Sequence, residues 1–113
     1  MQRTPLDSPD RARNLNNLGN SLRARYIRFG QLADLEASIS VYREAVQLTP
    51  PDSPDLATNL NNLGTGLRAY YAHTGRSLDL EAAIFAYQEA VRHTPPGSPD
   101  SAMHYNNLGN GLS

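Results

Sequence analysis

The chain has 113 residues, a length that suits one compact domain and leaves no room for two. Hydrophobic residues make up 39% and charged residues 19%, which predicts a folded chain with a core and excludes a solvated, disordered tail. Lys+Arg 10 against Asp+Glu 11 gives a formal net charge of -1 without any run of like charge, so a nucleic-acid backbone or an anionic membrane surface is excluded as an expected partner.

The elements are organised by self-similarity. Ser-Pro-Asp occurs at Ser8-Pro9-Asp10, Ser53-Pro54-Asp55 and Ser98-Pro99-Asp100, and Asn-Asn-Leu-Gly follows each time at Asn16–Gly19, Asn61–Gly64 and Asn106–Gly109. The offset is 45 residues in both steps, and about 27 of the 45 residues in 6–50 recur in 51–95. The predicted organisation of 1–113 is a first unit over 6–50, a second over 51–95 and a partial third over 96–113.

The first unit opens with Ser8 as an N-cap hydroxyl, Pro9 at the first helical position and Asp10 at the positive end of the helix dipole; Ser53, Pro54 and Asp55 repeat this. Ala12, Leu15, Leu18, Leu22, Tyr26 and Phe29 then follow at spacings of three and four, the pattern of one apolar helix face. Gly30 and Gly75 are positioned as left-handed C-caps. A second helix is predicted over Asp34–Leu48 with Leu35, Ile39, Tyr42, Ala45 and Val46 on one face, repeated as Leu80, Ile84, Tyr87, Ala90 and Val91. Asp34, Glu36, Asp79 and Glu81 lie where that helix starts and are expected to cap it. Gly19 and Gly64 fall in mid-helix, where glycine costs about 1 kcal/mol against alanine, so a close helix approach is expected there. Tyr26, Tyr42, Tyr71 and Tyr87 read as core, whereas Tyr70 has no counterpart in the first unit. Neither hairpin can bury its stripe alone, so the units are expected to stack.

Leu15-x-x-Leu18-Gly19-x-x-Leu22, Ser38-Ile39-x-x-Tyr42-x-x-Ala45-Val46 and Pro50 resemble the tetratricopeptide repeat, and the second unit matches it more closely. That family has a period of roughly 34 residues. Roughly seven extra residues between Leu22 and Ser38 and roughly four between Pro50 and Leu60 account for the difference, and each lengthens the first helix by whole turns. The wording Asn-Asn-Leu-Gly and Asp-Leu-Glu-Ala is similar to long repeats of multidomain signalling proteins that carry CHAT or nucleotide-binding modules. The resemblance implies an all-α fold, an α-solenoid of stacked antiparallel helix hairpins in a right-handed superhelix, with two full repeats plus a terminal helix. It also implies that the first helices line a concave groove.

The polar flank of the first helices supplies the candidate site. With Leu15 taken as zero, Arg13, Asn16, Asn20 and Arg23 fall roughly 80° to 160° around the helix, and Asn17 lies beyond them. At 45-residue spacing these residues form columns: Asn16, Asn61 and Asn106; Asn17, Asn62 and Asn107; Asn20, Thr65 and Asn110; Arg23 and Arg68. An asparagine amide can donate to a peptide carbonyl and accept from a peptide N–H at once, so such a ladder suits an extended peptide, and arginine can grip a carboxylate. Exposure is expected of Asn16, Asn61 and Asn20, while Asn17, Asn62 and Asn107 fit equally well as bridges between helices.

Catalysis is not expected. Cysteine is absent and all ten basic residues are arginine, which removes thiol chemistry and Schiff-base lysines. His73, His93 and His104 occupy three different phases of the repeat and make no metal-ligand spacing, so no cofactor or metal is expected. A protein or peptide partner is expected instead. The run Met103, Leu108 and Leu112 near the end of the chain has no second helix after it, which suggests a homo-oligomer formed through uncapped repeat ends. The chain also lacks a signal-peptide core or an apolar run of roughly 18 residues, and a cytoplasmic location is the expectation.

Overall fold

A computed structural model of the chain describes residues 9–94. The described residues form four helices and no strand: α1 (Pro9–Phe29), α2 (Leu32–Leu48), α3 (Asp55–Thr74) and α4 (Ser77–Arg92). The expectations for Ser8, for the partial unit at 96–113, and for Asn106, Asn107 and Asn110 lie outside the described residues.

The two hairpins are α1 with α2 and α3 with α4, and α2 also packs along α3, whereas α1 and α3 meet sparingly. Glycine sets the hairpin bends. Gly30 and Gly75 have φ of 73° and 71°, the left-handed conformation that favours glycine, and each donates its N–H to a carbonyl four residues back, Tyr26 and Tyr71, at 2.7 Å. Both C-caps therefore stand where the sequence places them.

Helix α1 starts at Pro9 as expected, whereas the second helix of each hairpin starts earlier than expected. Helices α2 and α4 begin at Leu32 and Ser77, two residues before Asp34 and Asp79, and neither N-cap residue makes a side-chain cap bond. Asp34 instead accepts from Arg25 at 2.7 Å, and Asp79 accepts from the Thr74 hydroxyl at 2.6 Å, so these carboxylates tie the hairpin bend to the preceding helix. Pro54 lies just outside α3, yet the Ser53 hydroxyl still accepts the Asp55 N–H at 3.1 Å, satisfying one of the amides that a helix start leaves unpaired.

Each hairpin closes on one tyrosine. Tyr42 and Tyr87 are the bulkiest fully buried side chains, and each lies against a mid-helix glycine of its own unit. A Cβ on Gly19 would come 2.6 Å from the Tyr42 ring, and one on Gly64 would come 2.7 Å from the Tyr87 ring. Both glycines make room for an aromatic ring, which outweighs their cost in helix propensity. The ring hydroxyls match as well, since Tyr42 donates to Asn20 Oδ1 at 2.6 Å and Tyr87 to Thr65 Oγ1 at 3.2 Å, residues 45 apart in both cases.

The main core lies where α2, α3 and α4 meet, with Leu35, Ile39, Tyr42, Leu63, Leu67, Ala83 and Ala86 buried together. A smaller cluster joins Leu56, Leu60 and Ala90, with Val46 against it. Gly66 opens the space between units, because a Cβ there would stand 3.1 Å from Ile39 Cγ1. The apolar row of α1 departs from expectation. Leu18 is 48% and Phe29 63% exposed, while Leu63, the counterpart of Leu18, is 9% exposed under α2. Helix α1 packs on α2 and meets α3 only sparingly, and no other described helix covers it. Tyr26 and Tyr71 are likewise half-buried, in contrast to Tyr42 and Tyr87.

Candidate functional site

The repeat lays α1 and α3 beside each other, and the polar columns meet where they touch. Asn62 donates its amide to Asn16 Oδ1 at 2.9 Å, a bond between the two units made by residues 46 apart in sequence. Arg13 bridges the same seam, with Asp10 at 3.8 Å in its own helix and Asp55 at 3.6 Å in the next unit. The amide bond therefore crosses from the column of Asn17 and Asn62 to that of Asn16 and Asn61.

Their members do not share one environment. Arg13, Asn17, Asn20 and Arg68 are exposed, whereas Asn16, Arg23, Asn62 and Thr65 are half-buried. Asn61 is only 7% exposed, and its carbonyl accepts the Thr65 hydroxyl at 3.0 Å. Open exposure of Asn16 and Asn61 is therefore not observed, and Asn17 is the open member where a bridging role was equally expected. The physical reason at Asn16 is the bond from Asn62, which closes over one side of its amide. Asn20 and Thr65 are engaged by the tyrosine hydroxyls, so each supports its own hairpin and retains only part of its hydrogen-bonding capacity for anything else.

Charge on this face comes from arginine. Arg23 lies close enough to Tyr42 to pull its phenol downward, although burial dominates and holds the group above the ordinary tyrosine range. Nearer the hairpin bend, the hydrogen bond from Arg25 holds the Asp34 carboxyl below the usual carboxylate range, and Arg92 does the same for Glu89. These are structural ion pairs at the edges of the hairpins. Among the described residues no group of three or more His, Cys, Asp or Glu could hold a metal ion, and no helix is long and apolar enough to cross a membrane.

Two features were not legible as site features in the sequence. A groove of about 550 Å³ opens beside α2, with Ile39 and Leu67 in its lining and Glu36, Arg43, Tyr70 and Asp79 among its polar members. Tyr70 reaches across to Glu36 Oε2 at 3.2 Å, linking the second unit to the first. A smaller groove of about 190 Å³ lies on α1, lined by Arg11, Asn14, Leu15 and Leu18. The available signal was the set of positions where the two units differ, Arg11 against Leu56 and Arg25 against Tyr70. Repeat arithmetic looks for agreement and passes over such positions. No protein-family model matches the chain, and neither does any curated protein or solved structure.

Proposed function

We infer that the chain is a non-enzymatic protein–protein interaction scaffold, a stretch of tetratricopeptide-like solenoid that binds an extended peptide or partner segment along the face of its first helices. The observation that carries this reading is the stripe of exposed polar side chains Arg13, Asn17 and Asn20 on α1, beside the seam where Asn62 of the second unit donates to Asn16 at 2.9 Å. Beside that seam Arg13, Asn17, Asn20 and Arg68 remain exposed. Amides and guanidinium groups in such a row offer donors and acceptors to a peptide backbone and a fork to a carboxylate, without demanding particular side chains. The right-handed superhelix and the concave placement of this face follow from the family resemblance. A cytoplasmic setting belongs to the same reading, and so does the lack of a nucleic-acid or membrane partner, which the near-neutral charge supports.

A second reading has its own support. Asn16, Asn20, Asn62 and Thr65 all hydrogen-bond within the protein, as they would in a structural spacer or self-associating repeat segment with no peptide ligand. Asn17 and Arg68 separate the two, because both are exposed and neither bonds another described residue. A random-peptide display library is screened against the protein, and recovered ligands are retested on the Asn17→Ala/Arg68→Ala double variant. The scaffold reading expects a ligand whose affinity falls at least tenfold while the melting temperature stays put. Failure to recover a ligand, or one indifferent to both substitutions, favours the spacer.

A further inference from the structure

The seam between units shows what a first helix needs as a cover. In the second unit Leu56, Asn59, Leu60 and Leu63 of α3 are all buried. The last turns of α2 lie over them: Val46 packs on the cluster of Leu56 and Leu60, and Thr49 accepts from the Asn59 amide at 2.9 Å. The same positions 45 residues earlier are Arg11, Asn14, Leu15 and Leu18, and they line the open groove of about 190 Å³ on α1. Leu18 is 48% exposed where Leu63 is 9% exposed. Arg11 Nε is buried and has no hydrogen-bond partner among the described residues, while Nη2 of the same guanidinium lies 3.8 Å from Glu44.

The chemistry that suits this face as a cover follows from the residues that differ. Arg11, Leu18 and Arg25 succeed one another at seven-residue steps and so share one stripe of α1, an apolar centre with a guanidinium at each end. Their counterparts Leu56, Leu63 and Tyr70 all pack against α2 or its neighbours. Helix α1 carries Arg11, Arg13, Arg23, Arg25 and Arg28 against Asp10, whereas α2 carries Asp34, Glu36 and Glu44 against Arg43. A helix placed on α1 as α2 lies on α3 sets acidic residues of its first turns beside Arg25, as Glu36 meets Tyr70. Its carbonyl end, negative by the helix dipole, falls beside Arg11. Each arginine already meets an acid of its own unit, Glu44 at 3.8 Å for Arg11 and Asp34 at 2.7 Å for Arg25. Those contacts orient the guanidiniums, whose five N–H donors leave capacity for a second carboxylate or carbonyl.

We propose that the outward face of α1 docks an acidic amphipathic helix of a partner protein, antiparallel to α1, with an apolar-x-x-Thr final turn seated in the groove of Arg11, Asn14, Leu15 and Leu18. The proposal rests on the reading of the chain as an interaction scaffold and names a surface distinct from the Asn17 and Arg68 face. The probe is a fluorescently labelled peptide of residues 31–50, which contains α2 and its Thr49-Pro50 end, titrated into the intact protein and followed by anisotropy. Expected is saturable binding that Leu18→Asp weakens at least tenfold, that Arg11→Ala/Arg25→Ala also weakens, and that high salt reduces. Asn17→Ala/Arg68→Ala leaves it unchanged, so failure here is distinguishable from failure of the peptide-binding reading. Circular dichroism melts show whether each variant stays folded, and if Leu18→Asp does not, the double arginine variant decides. Three outcomes overturn the proposal: no saturable binding; binding indifferent to Leu18→Asp and to the arginine pair, which means the peptide has exchanged with α2; or binding seen only after residues 1–8 are deleted, which assigns the groove to the chain's own amino-terminal segment.

Discussion

Asn59 in α3 donates its side-chain amide to Thr49 Oγ1 at 2.9 Å, and the Thr49 hydroxyl in turn donates a hydrogen bond to the Ala45 carbonyl at 2.6 Å. Both side chains are buried, at 3% and 7% exposed, so the pair pins the end of α2 to the start of α3 in a place that water does not reach. Thr49→Val keeps the shape and removes the acceptor, leaving a buried amide without its partner. Denaturant unfolding of this variant is expected to show a loss of about 1–3 kcal/mol.

Leu18 and Leu63 occupy the same place in successive units and differ only in what covers them. Leu63→Ala opens a cavity in the core shared by α2, α3 and α4, and is expected to cost about 2–5 kcal/mol. Leu18→Ala trims a half-exposed side chain and is expected to cost under about 1 kcal/mol. Equal losses at the two positions in chemical denaturation would mean that the units are not stacked as described.

Glycine substitutions separate the two kinds of close approach. Gly64→Ala drives a methyl to within 2.7 Å of the Tyr87 ring, which is fully buried and cannot swing aside. The expected loss is about 1–3 kcal/mol, in spite of the gain in helix propensity. Gly66→Ala meets only Ile39 Cγ1 at 3.1 Å, a shift of a few tenths of an ångström for the neighbour, and the change is expected to stay under about 1 kcal/mol. Thermal melts of the two variants measured side by side give the comparison.

Most of the fold was legible because its signals are local. The glycines at 30 and 75, the apolar spacing and the 45-residue period each act through neighbouring residues or identical units, and they located four helices and both C-caps. The starts of α2 and α4 lie two residues earlier than expected because Asp34 and Asp79 resemble caps in sequence; their partners, Arg25 and Thr74, lie in the preceding helix and become neighbours only once the hairpin has formed. The candidate face was legible as a set of columns and not as an environment. Asn17 is exposed and Asn61 buried through tertiary packing, and helix periodicity within one unit carries no information about that.

Stability is expected to fall at both ends of the pH scale. The bond from Arg25 holds the Asp34 carboxyl below its unfolded value, so its contribution is present above that value and is lost as acid protonates the folded group. Asp34→Asn should flatten the acid limb of the melting profile. Burial raises the Tyr42 phenol above its unfolded value near about 10, so the neutral form is favoured in the folded state and stability declines as pH rises past that point. Tyr42→Phe removes this alkaline contribution and, with the bond to Asn20 gone, costs about 0.5–1.5 kcal/mol at neutral pH.

The account depends on the second helix of one unit covering the first helix of the next in a fixed register, and nuclear Overhauser contacts in solution test that directly. The structure predicts cross-peaks between Gly66 and Ile39 side-chain protons and between the Asn59 amide and Thr49, alongside the contacts of Gly19 with Tyr42 and Gly64 with Tyr87 inside each hairpin. Hairpin contacts without either contact between units would describe two independent helix pairs and contradict the stacked arrangement.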